Sequence, residues 1–384
     1  MCIRDSLYAA CGEDGLYVYD IAAIDNKGFS ERVVTSRVSP LGQNLSVDTA
    51  YATAVASPTT LGVDPTRKKV MVEGVAVNQE QPIHPLYAYL YLSDLYEGLV
   101  VVGAGTLLDG DPTNNFLEKA LSFNPDGRLD GAQHLVVAGE HVYVCCKRGL
   151  VVVNISNPLK PRIVSEIGSP HLVNPRAVAI QFRYAFVCDD EGLKILDMTF
   201  PEKDAPVLVA TVELSTANRV YVARTFAYVA AGSAGLAMVD VTNPESPELF
   251  RFIDGNGVIS DARDVKVGMT NASVFAYVAD GKNGLHVIQL ISPRNTPTYA
   301  GFSPRPENAR LVATYKTRGD ALAISKGLDR DRAVDESGNQ LAVFGRLGAR
   351  PYNLAEQRRH FEKRKAPGEL YKVTDEVPKR ADDR

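Results

Sequence analysis

Apolar and polar positions follow one phrase that returns along the chain. A strand of small and aromatic residues meets an acidic turn, then Gly-Leu, then an apolar run ending in Asp. Phe226-Ala227-Tyr228-Val229-Ala230-Ala231-Gly232-Ser233-Ala234-Gly235-Leu236-Ala237-Met238-Val239-Asp240 is one copy. Phe275-Ala276-Tyr277-Val278-Ala279-Asp280-Gly281-Lys282-Asn283-Gly284-Leu285-His286-Val287-Ile288 is a second. Others centre on Gly15, Gly98, Gly149 and Gly192, each followed by Leu, and a degenerate copy ends around Gly338. Gly149, Gly192 and Gly235 stand 43 residues apart at each step. Self-similarity at such a period marks a repeat architecture.

Each repeat predicts four strands. The first alternates, as in Arg219-Val220-Tyr221-Val222, and the second is aromatic, as in Tyr184-Ala185-Phe186-Val187. The third is the run after Gly-Leu, such as Leu150-Val151-Val152-Val153. A continuous apolar run suits a strand buried on both faces. The fourth, Arg162-Ile163-Val164-Ser165-Glu166-Ile167, follows the turn Asn157-Pro158-Leu159-Lys160-Pro161, a turn repeated at Asn243–Pro247. The glycine before Leu sits where the hairpin between strands two and three needs a positive φ. Asp94, Asp189 and Asp280 occupy the acidic turn beside it.

Four-stranded units stacked at this period predict an all-β fold, a β-propeller. Seven copies predict seven blades, with six as the alternative. The propeller spans 7–350, with insertions at about 41–71 and 103–131. Residues 1–6 read as a non-native leader without the apolar core of a signal peptide, and the first repeat as cut open at its leading strand. The tail, 351–384, predicts a short basic helix over 354–363 capped by Asn353, then a disordered charged end.

Composition excludes more than it assigns. The 384 residues are 45% hydrophobic and 23% charged with a net charge of −4, the balance of a protein with a packed core. That charge gives no electrostatic footprint for nucleic acid, and no apolar run is long enough to span a membrane. The five cysteines, Cys2, Cys11, Cys145, Cys146 and Cys188, are odd in number and irregular in spacing, a poor disulfide framework. No Cys-x-x-Cys-His is present, so this chain attaches no c-type haem.

The aromatic-x-Val-Ala-Asp strand, Gly-Leu, the apolar run to Asp-Val and the Asn-Pro-x-x-Pro turn resemble the LVIVD repeat family over about 7–345. The segments 142–155, 184–198, 226–247 and 275–290 carry the resemblance most specifically. It departs at Cys11 and Cys146, which replace the acidic turn residue, and at Gly103, Asn154 and Gln289, which replace the terminal Asp kept at Asp20, Asp197 and Asp240. The resemblance implies a propeller of exported or surface proteins of prokaryotes, with no defined reaction, and a multihaem cytochrome or surface protein as partner.

Candidate chemistry lies in the second insertion. Asp109, Asp111 and Asn115, with Asp126 and Asp130, form two oxygen-rich loops that are candidates for calcium. The spacing lacks the glycine and glutamate of an EF-hand loop, and Asp or Asn before Gly or Pro are standard turn formers. Between the loops, Asn115–Leu121 reads as a short surface helix. The charged run Asp329-Arg330-Asp331-Arg332 reads as a solvated turn. The histidines His84, His134, His141, His171, His286 and His360 show no zinc-site spacing. Cys145 and Cys188 occupy equivalent places in adjacent repeats, too far apart for a disulfide. No catalytic motif is present. Two functions follow as expectations: a non-catalytic extracytoplasmic interaction module, or a propeller hydrolase of lactonase type with a divalent metal in its channel. The acidic candidates for that metal are Asp94, Asp189, Asp280 and Asp335.

Overall fold

The structure, a computed structural model, describes residues 2–3, 6–20, 46–58, 71–72, 75–76, 89–104, 117–270, 273–297, 299, 303–325, 346–347, 350–351, 362–363 and 366–370. They form antiparallel sheets, with no helix beyond the 3-10 turn Pro125–Gly127 among the described residues. Six of the sheets have four strands, and the fold is a β-propeller of four-stranded blades.

Blade one holds β1 (Cys2–Ile3), β2 (Ser6–Ala10), β3 (Leu16–Asp20) and β4 (Ser46–Val47). Cys2–Ile3 pairs with β2, so the expectation of a first repeat without a leading strand is corrected. Blade two opens with β5 (Ala52–Ala56); a small hairpin of β6 (Met71–Val72) and β7 (Val75–Ala76) precedes its β8 (Tyr89–Asp94), β9 (Gly98–Gly103) and β10 (Glu118–Phe123). The surface helix expected at 115–121 is thus, from Glu118 onward, the edge strand of this blade. Alternate polar side chains suit an outer strand as well as a helix turn, and pairing with β9 decides between them.

Blade three comprises β11 (His134–Ala138), β12 (His141–Cys146), β13 (Gly149–Asn154) and β14 (Arg162–Ile167). Blade four comprises β15 (Ala177–Gln181), β16 (Tyr184–Asp189), β17 (Gly192–Asp197) and β18 (Val207–Glu213). Blade five comprises β19 (Arg219–Ala223), β20 (Phe226–Ala230), β21 (Leu236–Asp240) and β22 (Glu248–Ile253). Blade six comprises β23 (Asp264–Thr270), β24 (Ser273–Ala279), β25 (Leu285–Ile291) and β26 (Arg310–Tyr315). In the tail β27 (Arg346–Leu347) pairs with β28 (Arg350–Pro351), and β29 (Glu362–Lys363) with β30 (Ala366–Leu370). The end of the helix expected at 354–363 is therefore a strand; residues 354–361 lie outside the described residues, as do the Gly338 copy and the run 329–332.

The chain divides into two compact units. One contains 1–123, 155–161 and 328–384, and with them blades one and two; the other contains 124–154 and 162–327, and with them blades three to six. Within each, cores form between successive blades. Leu150 and Val152 of blade three pack against Val178, Ala185 and Val187 of blade four. Leu193 and Ile195 of blade four meet Val220, Val229 and Val239 of blade five, and Leu236 and Met238 meet Val265, Val278 and Ile288 of blade six. Tyr8, Leu16 and Val18 pack against Leu90, Leu92 and Val100 in the first unit. Burying strand three on both faces is what makes its apolar run continuous.

In blades three to six the third and fourth strands slip register at one equivalent step: Val152/Val153, Ile195/Leu196, Met238/Val239 and Val287/Ile288. Such a bulge bends the strand and increases its twist. Two hairpins reach forward to the next blade's opening segment by a bridge, Gly12 to Ala52 and Gly232 to Ala262, and Gly281 makes the same kind of bridge to Ala321.

Candidate functional site

The acidic turn residues come first, because a channel metal or a general base would need them. Asp94, Asp189 and Asp280 are completely buried. Asp94 accepts hydrogen bonds from the main-chain N–H groups of Tyr51, Tyr96 and Glu97 at 2.6, 2.9 and 2.9 Å. Asp189 accepts from Val173, Glu191 and Gly192 at 3.1, 2.9 and 3.1 Å. Asp280 accepts from Ser260 at 3.2 Å and Asp261 at 2.6 Å, and its Oδ2 lies 3.0 Å from His286 Nε2. Each carboxylate thereby ties the segment leading into its blade's first strand to that blade's second strand. Burial pulls the Asp94 carboxyl up, but the N–H groups of Glu97, Tyr96 and Tyr51 outweigh it and hold it below the ordinary carboxylate value. Where cysteine replaces the acid, the latch is weaker: Cys146 Sγ donates to Arg128 O at 3.5 Å.

The glycines that follow are needed twice over. Gly15, Gly98, Gly149, Gly192, Gly235 and Gly284 all have positive φ, reaching +136° at Gly192. A Cβ on Gly192 would also stand 2.2 Å from Val212 O on the fourth strand, and on Gly149 2.0 Å from Ile167 O.

The first strand of each blade is a sheet edge, the edge that borders the channel of a propeller. An edge strand carries unpaired N–H and C=O groups that must be satisfied. In the second unit neighbouring blades satisfy them. Arg176 Nη1 donates to Ala217 O of the next blade at 3.4 Å, and Asn218 Nδ2 to Ala262 O at 2.7 Å. Gln133 Nε2 donates to Asn174 Oδ1 at 3.3 Å. One position further in, opposite Cys145, Cys188, Ala230 and Ala279, stand His134, Ala177, Arg219 and Asp264. His134 Nδ1 accepts from Val178 N at 3.3 Å, and Arg219 Nη1 donates to Arg176 O at 2.5 Å. Asp264 accepts from Ile324 N at 2.8 Å and from Lys266 Nζ at 2.9 Å. This polar rim was missed in the sequence, although aligning the repeats puts Gln133, Arg176, Asn218 and Arg263 in one column.

At the other end of these blades, the loop between strands three and four clamps the preceding blade. Glu202 meets Arg162 at 2.9 Å, His141 at 3.0 Å and the Asn154 amide. Glu245 meets Arg183 at 2.9 Å and the Tyr184 hydroxyl at 3.0 Å, and Arg305 meets Asp240 at 2.7 Å. Hydrogen bonds from Arg162, then His141 and Asn154, pull the Glu202 carboxyl from 4.5 down to about 2. The unfolded chain takes up this proton first. The clamp's contribution is therefore whole above pH 4.5 and is lost as the pH falls toward 2. The Glu202 side chain is 38% exposed, and solvent screening keeps the contribution under about 1 kcal/mol. Glu202→Gln should lower stability by that much at neutral pH, and urea titrations should show the difference from the parent vanishing near pH 2.

Of the calcium candidates, Asp109, Asp111 and Asn115 lie outside the described residues. Asp126 is exposed at φ +55° in the Pro125–Gly127 turn, and Asp130 accepts from Asn124 Nδ2 at 2.7 Å while Asn124 Oδ1 accepts from Leu129 N. Among the described residues no three acidic, histidine or cysteine side chains gather as a metal site would require. His286, which nothing in the sequence set apart from the other histidines, is buried between Asp280 and Thr314, whose Oγ1 lies 3.0 Å from Nδ1. His171 is exposed, and His84 and His360 lie outside the described residues.

The cysteines Cys145 and Cys188 are free and sit in the cores between blades rather than on the channel edge. Burial pushes the thiols of Cys145, Cys146 and Cys188 up. A thiol held protonated is a poor nucleophile. Iodoacetamide applied to the native protein at pH 8 should leave all three unmodified by mass spectrometry, and urea should expose them.

The LVIVD repeat model matches residues 131–167, 216–254 and 261–299, which contain blades three and five and the first three strands of blade six. Among curated proteins none matches the chain by sequence. The computationally designed Ika8 protein is similar in structure, with a TM-score of 0.48 at 11% identity over 85% of this chain and 89% of that one. The β-propeller domain of Cps50 (Swd1) from Myceliophteria thermophila gives 0.47 at 10% identity, covering 83% and 84%. Dihydro-heme d1 dehydrogenase NirN, solved in complex with DHE, gives 0.45 at 12%, covering 74% and 51%. At such scores the likeness carries no argument about activity. The repeat match and the four-stranded blades together make this chain a β-propeller that carries LVIVD repeats.

Proposed function

We propose that this chain is a non-catalytic interaction propeller working outside the cytoplasm, a scaffold for a surface protein or a multihaem cytochrome. One observation carries the reading. Asp94, Asp189 and Asp280, three of the four acids a channel metal or general base would draw on, are each buried and filled with main-chain or histidine donors, and the fourth, Asp335, lies outside the described residues. A carboxylate whose lone pairs take fixed N–H groups is spent on folding.

A second feature supports it. Phe182 is 95% exposed at φ +52°, in a hairpin where blade three has Gly139 at φ +59°. A bulky residue in that region is strained, and such strain clusters at functional positions. Phe200 of the same blade is exposed as well. Location and partner follow from the family resemblance, and among the described residues no helix is long and apolar enough to cross a membrane. Seven blades, with the seventh opening near Ala321, fit the bridge to Gly281.

Metal analysis of the purified protein, run beside a lactone-hydrolysis panel, tests the reading. The expected result is no stoichiometric divalent ion and no hydrolysis above background. A tightly held ion, or turnover that EDTA abolishes, would establish the propeller hydrolase instead.

A further inference from the structure

We propose that the channel-facing edge of blade four, between His134 and Arg219, is a binding site for a carboxylate. The inference goes beyond the interaction reading and holds whether or not the chain is catalytic.

Three observations on the second unit converge. First, Arg219 is half-buried, and among the described residues its guanidinium donates only to the main-chain carbonyls of Arg176 at 2.5 Å and Asn218 at 3.4 Å. No carboxylate pairs with it among the described residues. Five N–H donors on a planar fork are thus mostly unused. Second, His134 Nδ1 accepts the Val178 N–H at 3.3 Å, so the ring proton of the neutral imidazole is on Nε2. That Nε2–H has no protein acceptor among the described residues. Burial first, then the charges of Arg219 and Lys266, hold this imidazole well below its ordinary value, which keeps it neutral. Third, the two groups approach one short stretch of main chain from opposite neighbours. His134 of blade three binds the peptide after Ala177, and Arg219 of blade five the peptide before it. The residue between them has the small side chain of alanine.

Charge balance selects the ligand. The other cations along this edge are matched, Lys266 by Asp264 and Arg176 by Asp190. With His134 neutral, Arg219 leaves one positive charge uncompensated among the described residues. A monoanion neutralises it, whereas a phosphate dianion would leave an excess negative charge in a desolvated place. A carboxylate also has the planar, two-oxygen geometry that the guanidinium fork takes bidentately, and it can accept a further bond from an imidazole N–H. The same chemistry arrives either as a free small acid or as an Asp or Glu side chain on a partner's loop.

The test uses the whole purified chain. Sodium acetate, N-acetyl-glutamate methylamide and inorganic phosphate are titrated at matched ionic strength while the His134 imidazole is followed by 1H–15N NMR. A saturable shift of Nε2 with a carboxylate, and none with phosphate, is expected. Arg219→Gln should weaken it about tenfold or more, the scale of a lost charge-assisted bidentate pair. Arg219→Lys keeps the charge and a donor for Arg176 O, and should weaken binding by a smaller factor should the glutamine variant not fold. A response to acetate identifies a free small acid. A response to the capped glutamate alone identifies a partner's acidic side chain. No saturable shift with either carboxylate, equal binding of phosphate, or unchanged binding by a folded Arg219 variant overturns the proposal. The wild-type titration is decisive by itself, and it is read without any partner or metal, so it fails independently of the interaction reading.

Discussion

Replacing Asp280 with alanine should lower the unfolding free energy by roughly 3–5 kcal/mol, the cost of leaving buried polar groups without their charged partner. The carboxylate is fully buried and holds the N–H groups of Ser260 and Asp261 and the imidazole of His286. Alanine orphans all three at once, and the fully buried His286 imidazole cannot turn to water without opening the junction into blade six. Asparagine tests the mechanism more finely. Its oxygen can still accept from Asp261, while its amide must face His286 with a donor. The imidazole can meet that donor by moving its proton from Nε2 to Nδ1, where Thr314 Oγ1, 3.0 Å away, accepts it. Asp280→Asn should therefore cost less than half as much as Asp280→Ala, and adding Thr314→Val should remove the difference. Urea unfolding of the three variants checks this; equal losses for Asn and Ala would refute the tautomer exchange.

Gly192→Ala comes next in size, at roughly 3–5 kcal/mol, combining a forbidden backbone conformation with a steric clash. At φ +136° an alanine is strained wherever it sits. Here its Cβ would also stand 2.2 Å from Val212 O and 2.6 Å from Leu214 N, main-chain atoms that cannot rotate away. Relief requires β17 and β18 to separate, and with them the core that Leu193 and Ile195 form with blade five. Gly139→Ala is the control: φ is +59° but nothing lies within 4 Å, so only the backbone strain of about 1 kcal/mol remains. Circular dichroism melts should separate the two variants clearly. Similar losses would mean that the close approach at Gly192 is not what selects glycine.

Strand order, the hairpin glycines and the apolar third strands were legible because each depends on neighbours in sequence. A positive φ asks for glycine and a doubly buried strand asks for an unbroken apolar run, and both show in one copy and are confirmed by the next. Legibility stopped where a residue's role depends on a partner in another strand or segment. Asp94, Asp189 and Asp280 read as turn residues, yet their partners include N–H groups of the segments leading into their blades. His286 gave no signal, because a histidine inside an apolar strand is explained only by the acid beneath it. Glu118–Leu121 read as helix, since a polar stretch with a short apolar period fits either element until β9 offers its edge.

The sequence by itself determined the unit: four strands, the hairpin that closes them and the period at which they return. Local conformational preference and one-dimensional burial pattern suffice for that. Only the tertiary structure decided what joins one unit to the next. The edge staples from Arg176 and Asn218, the clamps at Glu202, Glu245 and Arg305, and the placing of His134 and Arg219 around Ala177 depend on residues brought together across blades. A polar side chain's role is fixed by its partner and by the water excluded around it, and neither is written at its own position in the chain.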